Sequence, residues 1–277
     1  LEATEIKKSD TVIEIGPGFG GLTFALADRA AKVIAFEIEK KLRPYWDKEI
    51  ERYGDKIDII WGNVLRISSI NGIAASLSRC ESGSLLATTE PYKVAANLPY
   101  QITSAVIRQF LEAENKPELL VLMVQKEVAE RICAKPGGMS LLSVAVQYYA
   151  DPEIIMNVPR NYFWPEPKVD SAIIRLSLRG TKQSRSQFAV KQDKRDCFVV
   201  ATPRNDSDCY FRVVKAGFAS KRKFLLHNFM VLFGKDKKKR IADAFKQVGL
   251  NEKARAQELA VDQWRLLVDI LLDEVGK

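Results

Sequence analysis

The chain has 277 residues, 47% of them hydrophobic, which suffices to bury a full core and suits one large domain plus one small one. No apolar run approaches the length of a bilayer crossing and no charged-then-apolar leader is visible; four widely spaced cysteines without a Cys-x-x-Cys pair, and a single histidine, His227, argue against a zinc site or a disulfide framework, so a cytoplasmic protein with free thiols is expected. The net charge of +8 is uneven, because residues 211–240 hold ten Lys and Arg against Asp236 alone and the rest of the chain is near neutral. Such a concentration is the footprint expected for a polyphosphate partner, the alternative being a solvated helix face.

In chain order, Thr11-Val12-Ile13-Glu14-Ile15 reads as a short buried strand. A glycine turn follows, Gly16-Pro17-Gly18-Phe19-Gly20-Gly21, and a helix begins at Leu22. Lys32-Val33-Ile34-Ala35-Phe36-Glu37 is a second strand, residues 40–52 a second helix, and Ile57-Asp58-Ile59-Ile60-Trp61 a third strand. Residues 70–90, rich in Ser, Ala and Gly, form a long connection. Val94-Ala95-Ala96 is a fourth strand, residues 103–112 a helix, and residues 118–124 a fifth strand. Strands alternating with helices predict a parallel sheet covered on both faces, an α/β fold. Ala172-Ile173-Ile174-Arg175-Leu176 resumes a strand, and the polar stretch 178–208 reads as an insertion between domains. The remainder, from Phe211 onward, is helical, with Trp264, Leu267, Val268, Ile270 and Leu271 on one amphipathic face.

Two motifs carry chemistry. Gly16, Gly18 and Gly21 fit G-x-G-x-x-G between a strand and a helix, and Glu37 ends the next strand about twenty positions on. That pattern predicts a cofactor containing adenosine, with the acid on the ribose hydroxyls, and leaves NAD and S-adenosylmethionine both open. Asn63, after the third strand, is placed to meet the cofactor's adenine amine, although a lone Asn in a turn is more often structural. The second motif is Asn97-Leu98-Pro99-Tyr100 at the end of the fourth strand. An adenine amine is a poor nucleophile because its lone pair is delocalised into the ring. The Asn97 side-chain oxygen and the Leu98 carbonyl supply two acceptors for its hydrogens, Pro99 stiffens the turn, and Tyr100 offers a face for stacking. Farther on, Phe163-Trp164-Pro165-Glu166-Pro167-Lys168-Val169-Asp170-Ser171 holds an extended loop in which Phe163 closes the other face of a flipped base, the alternative being a Pro-rich turn with Phe163 in the core.

At these residues the chain resembles the ribosomal RNA adenine N6-dimethyltransferases, most closely the type that modifies two adjacent adenosines near the 3′ end of 16S rRNA. The likeness runs from about Ser9 onward and includes Val124-Gln125-Lys126-Glu127-Val128-Ala129-Glu130-Arg131, Phe163 through Ser171, Phe218 through Lys223, and Lys253-Ala254-Arg255-Ala256. It implies a Rossmann-like, S-adenosylmethionine-dependent methyltransferase domain (residues 1–177), a connecting insertion (178–210) and a helical rRNA-binding domain (211–277). It implies that Gly16, Glu37 and Asn97 contact the cofactor and that Asn97, Leu98, Pro99 and Tyr100 form the target pocket; the motif readings above add Gly18 and Asn63 to the expected cofactor contacts and Phe163 to the pocket. Lys215, Lys221, Arg222 and Lys223 become the expected RNA contacts. A monomer acting on immature small ribosomal subunits, with no metal and no membrane association, is the partner reading.

Three departures from the family pattern shape expectations. The family's basic N-terminal segment, with Gly-Gln-Asn-Phe-Leu, helps enclose cofactor and substrate, whereas Leu1 stands just before the first strand. Asn63 occupies a position where Asp is usual, and the 178–208 stretch lengthens a connection. Weak cofactor binding and slow turnover are therefore expected of this chain. The competing readings are a 23S rRNA adenine methyltransferase of the macrolide-resistance type, a non-catalytic assembly factor on the same fold, and an NAD-dependent oxidoreductase. The last is disfavoured by the lack of a Tyr-x-x-x-Lys pair and by the tetrad at Asn97.

Overall fold

The computed structural model describes residues 1–66, 91–113, 115–179 and 206–275. The connection expected over 70–90 and most of the 178–208 stretch lie outside the described residues. Among the described residues, β1 (Thr11–Ile15), β2 (Lys32–Glu37), β3 (Ile57–Trp61), β4 (Tyr92–Asn97), β5 (Leu119–Gln125), β6 (Ala150–Val158) and β7 (Ser171–Leu178) form one sheet in the order β3-β2-β1-β4-β5-β7-β6. The first five strands run parallel. They read as continuous apolar runs because both faces are covered: Val12, Ile13 and Ile15 of β1 and Val33 through Phe36 of β2 are all buried.

The sheet is mixed rather than wholly parallel, because β7 pairs antiparallel with both β5 and β6. Strand β6 escapes sequence reading for a physical reason. It lies at the edge, carries Pro152, which an edge strand tolerates, and has a bulge between Ile154 and Met156 that breaks its alternation. Strand β7 continues through Leu178, whose N–H donates to the Glu118 carbonyl at 3.2 Å, so the polar stretch begins later than its composition implies.

Helices α1 (Gly21–Ala27), α2 (Arg43–Tyr53), α3 (Thr103–Leu111) and α4 (Lys126–Ile132) accompany the strands. Helix α2 starts after a 3-10 turn at Lys40–Leu42, since Pro44 lacks an N–H and suits a first helical turn. One core cluster joins Val12, Val33, Ile57 and Ala95 of the sheet to Leu26 of α1 and Trp46 of α2.

The chain divides into two compact units, Leu1–Glu130 with Tyr149–Arg185, and Arg131–Tyr148 with Ser186–Lys277. The second contains α5 (Leu141–Tyr149) up to Tyr148, α6 (Asp206–Gly217), α7 (Leu225–Phe233), α8 (Lys238–Gln247) and α9 (Val261–Val275). Its core holds Val214, Leu225, Phe229, Ile241, Phe245, Trp264, Leu267 and Leu271, together with Met139 and Val144. Each such fully buried aliphatic side chain contributes about 1.5–3 kcal/mol. Chain order does not reveal that residues 131–148 belong with the later helices.

Cys209 is disulfide-bonded, which corrects the expectation of free thiols at that position. Among the described residues no helix is long and apolar enough to cross a membrane.

Candidate active site

The parallel topology brings the sequence-predicted groups to one edge. Strand β1 lies between β2 and β4, with Ile15 opposite Phe36 and Glu14 opposite Ala95. The glycine turn, Glu37 and Asn97 therefore emerge together at the carboxyl ends of three neighbouring strands, where open α/β sheets bind their ligands.

Glu37 organises the turn. Its carboxylate is buried and accepts the Gly18 N–H at 3.1 Å through Oε2 and the Glu39 N–H at 2.7 Å through Oε1. Two of the roughly four acceptor positions of a carboxylate are thereby used, leaving room for hydroxyl donors. The Gly16 N–H donates to the Phe36 carbonyl at 2.9 Å, and Trp46 Nε1 donates to the Gly18 carbonyl at 3.0 Å. Gly16 and Gly18 sit at φ +72° and +55°, with nothing within 4 Å of where a Cβ would stand. Their conformation favours glycine, and their open side leaves the backbone approachable.

The third structural glycine is Gly20, which the spacing motif passes over in favour of Gly21. Gly20 has φ +83° and caps α1, while Gly21 faces open space as an ordinary helical residue. Sequence spacing alone could not separate the two, since the distinction comes from the packed rings of Phe24 and Trp46.

Glu14 is a second buried acid that sequence reading left inside its strand. It is 2% exposed, and its Oε2 has no hydrogen-bond partner among the described residues. Burial pushes its carboxyl up to about 7, with the Thr23 hydroxyl opposing the rise and the Glu37 charge adding to it. Between its ordinary value of 4.5 and about 7, the folded protein holds a proton that the unfolded chain has released. Stability should therefore fall as pH rises through this window, by on the order of 3 kcal/mol in full. Denaturation curves from pH 5 to 8 should show this decline in the ligand-free protein, and Glu14→Gln should flatten it. Parallel curves for the two proteins would reject the assignment.

At the end of β4, Asn97 is exposed and its side chain makes no hydrogen bond among the described residues, while Leu98 is buried and donates its N–H to the Met123 carbonyl at 3.4 Å. The Leu98 carbonyl accepts no hydrogen bond among the described residues, whereas the Pro99 carbonyl is taken by the Ile102 N–H at 3.1 Å. Two acceptors thus stand free on adjacent residues. Tyr100 is half-buried, and its hydroxyl lies 2.9 Å from Ser171 Oγ, which fixes the ring against β7. That bond ties the tetrad to the Val169-Asp170-Ser171 element and explains why the two motifs belong to one site. Phe163 is half-buried on the preceding loop and makes no ring contact with Tyr100.

Asn63 Oδ1 accepts the Leu65 N–H at 2.9 Å, so it shapes its own turn and keeps one further acceptor position. In the helical unit Lys215 is exposed on α6, and Lys221, Arg222 and Lys223 are exposed in the turn before α7. Asn228, unnoticed in the sequence, holds that turn by donating from Nδ2 to the Gly217 carbonyl at 2.6 Å and the Ser220 carbonyl at 3.3 Å.

A mixed seven-stranded sheet, a glycine turn after β1 and an acid closing β2 define a Rossmann-like enzyme. The family model described as ribosomal RNA adenine dimethylase matches residues 1–191. A protein of Dehalococcoides mccartyi named ribosomal RNA small subunit methyltransferase A is 38% identical over 267 residues, covering 96% of this chain and 80% of the relative. One of the same name from Geobacillus thermodenitrificans is 37% identical over 276 residues, covering 98% and 85%. Among solved structures, the 23S rRNA methyltransferase ErmE superposes with a TM-score of 0.68 at 25% identity, covering 98% of this chain and 94% of its own. A dimethyladenosine transferase from Plasmodium falciparum gives 0.72 at 24% identity, covering 99% and 94%, and supports the fold. The chain belongs to the ribosomal RNA adenine dimethylase family, and is a methyltransferase.

Proposed function

We propose that this protein transfers methyl groups from S-adenosylmethionine to the N6 amines of two adjacent adenosines near the 3′ end of 16S rRNA, in the immature small ribosomal subunit and in the cytoplasm. The observation that carries the reading is the pair of free acceptors, Asn97 Oδ1 and the Leu98 carbonyl, at a strand end beside a glycine turn pinned by a buried acid. The names of relatives 37–38% identical over nearly the whole chain support the small-subunit substrate.

S-adenosylmethionine supplies a methyl group on a positively charged sulfur. The residues present suit it: Gly16 and Gly18 offer an approachable backbone, Glu37 retains acceptor positions for ribose hydroxyls, Asn63 keeps one for the adenine, and Glu14 has an orphaned buried oxygen. Asn97 and Leu98 would accept the two amine hydrogens and favour a pyramidal nitrogen with an available lone pair. Tyr100 and Phe163 hold the base between them, and Pro99 keeps the turn rigid. Positioning and exclusion of water carry the rate, as in other reactions where bound groups are already aligned. In this division of labour the sheet-bearing unit holds cofactor and target, and the helical unit, formed by residues 131–148 with the helices from Asp206 onward, grips rRNA, the protein acting as a monomer.

The test is methyl transfer from labelled cofactor to immature small subunits, with the modified nucleoside identified by mass. Dimethyladenosine at two adjacent positions is expected; modification confined to large-subunit rRNA would favour the ErmE-like alternative, and RNA binding without transfer the assembly-factor one. Changing Lys221, Arg222 and Lys223 together to Ala should weaken RNA binding and flatten its salt dependence, each lost phosphate contact removing roughly 0.7–0.9 from the log–log slope. An unchanged slope would remove this turn from the interface.

A further inference from the structure

The loop between β6 and β7 carries features that target capture does not use. Trp164 is 97% exposed and Tyr162 79% exposed. Large rings left in water on a short loop are costly unless a partner covers them. The loop is nonetheless held in shape. Arg160 pairs with Glu166 at 2.9 Å, the Arg160 N–H donates to Asp170 Oδ1 at 3.1 Å, and the Lys126 N–H donates to the Asp170 carbonyl at 3.0 Å. The rings are therefore presented by a fixed support.

The same loop, through Arg160, Lys168, Val169 and Asp170, lines a cavity of about 460 Å³ at the end of β5 and the start of α4. Its walls include Lys126, Arg160 and Lys168, and also Glu127, Glu130 and Asp170. The Lys126 and Lys168 side chains make no hydrogen bond or ion pair among the described residues. A simple anion would meet three acids there, and a simple ammonium three cations. A nucleotide meets neither objection, since its phosphate suits the lysines and its base edge offers N–H donors to the carboxylates. The place is also right: Ser171, next to Asp170, pairs with Gln125 of the cavity wall and bonds the Tyr100 hydroxyl of the target pocket.

We propose that this cavity, with the exposed rings of Tyr162 and Trp164, is a subsite for a nucleotide flanking the target adenosine pair in single-stranded RNA. The proposal rests on the reading of the protein as an RNA adenine methyltransferase. The base stacks on Trp164 or Tyr162 and its phosphate meets Lys126 and Lys168. Exposed aromatics interleaved with cations are the usual means of holding unpaired bases with little regard to sequence.

The full chain is tested with fluorescently labelled single-stranded RNA oligonucleotides containing two adjacent adenosines, intact or with an abasic site at either position flanking the pair. Binding is read by anisotropy, and methyl transfer is measured separately. Trp164→Ala should weaken binding of intact RNA about fivefold or more, the lower end of a base-stacking contribution, with Trp164→Phe restoring most of it. Against RNA lacking the flanking base, Trp164→Ala should change nothing further. Lys168→Ala should weaken intact and abasic RNA alike and reduce the salt dependence. Equal weakening of intact and abasic RNA by Trp164→Ala, or none with either, would overturn the subsite. Absence of methyl transfer from wild-type protein to either oligonucleotides or small subunits would instead count against the parent reading, with the coupling between Trp164 and the flanking base still measurable.

Discussion

Asn97→Ala is expected to lower methyl transfer by about 10²–10³-fold, the scale seen when one preorganised polar group facing a reacting centre is removed. The side chain is exposed and makes no hydrogen bond among the described residues, so its loss should leave stability within about 0.5 kcal/mol. The variant thus separates chemistry from folding. Its partner acceptor, the Leu98 carbonyl, belongs to the backbone and stays in place, as does the Tyr100 ring held by Ser171. Binding of RNA and cofactor should change far less than turnover. Single-turnover transfer alongside a thermal melt makes the measurement, and unchanged turnover would remove Asn97 from the amine pocket.

Gly20→Ala should destabilise the sheet-bearing unit by about 2–5 kcal/mol and weaken cofactor binding with it. A Cβ there would stand 2.5 Å from Phe24 Cε2 and 2.9 Å from Trp46 Cη2, on a backbone at φ +83°. The left-handed conformation costs roughly 1–2 kcal/mol for a non-glycine residue, and overpacking typically 1–3 more. The functional consequence follows from Trp46, which is fully buried and donates its indole N–H to the Gly18 carbonyl. Pushing that ring aside loosens the turn that Glu37 also pins, through the Gly18 N–H. Gly21→Ala is the control: nothing lies within 4 Å of its Cβ position, and alanine favours the helix. Equal effects at the two positions, followed by denaturant unfolding and calorimetric cofactor titration, would refute the packing account.

Much of the fold was legible because its first strands are local and strongly patterned. β1, β2 and β3 occupy the spans their apolar runs predict, and the tetrad falls where β4 ends. The family likeness was legible for a similar reason: its motifs are short, ordered along the chain and chemically constrained. Legibility failed where a residue's importance comes from something distant in sequence. Ser171 matters because it meets Tyr100, Gly20 because it meets Trp46, and Asn228 because it holds a turn eight to eleven residues earlier. Glu14 is set apart from its strand neighbours only by its burial, which leaves Oε2 without a hydrogen-bond partner among the described residues.

Residue type and spacing specified the α/β class, the order of the motifs and the cationic character of the later helices. Packing of the folded chain settles that β7 inserts antiparallel between β5 and β6, that residues 131–148 join the helical unit, and which strand-end atoms lack partners among the described residues. Those outcomes depend on which polar groups and faces already have partners, and a partner remote along the chain leaves no mark on local composition.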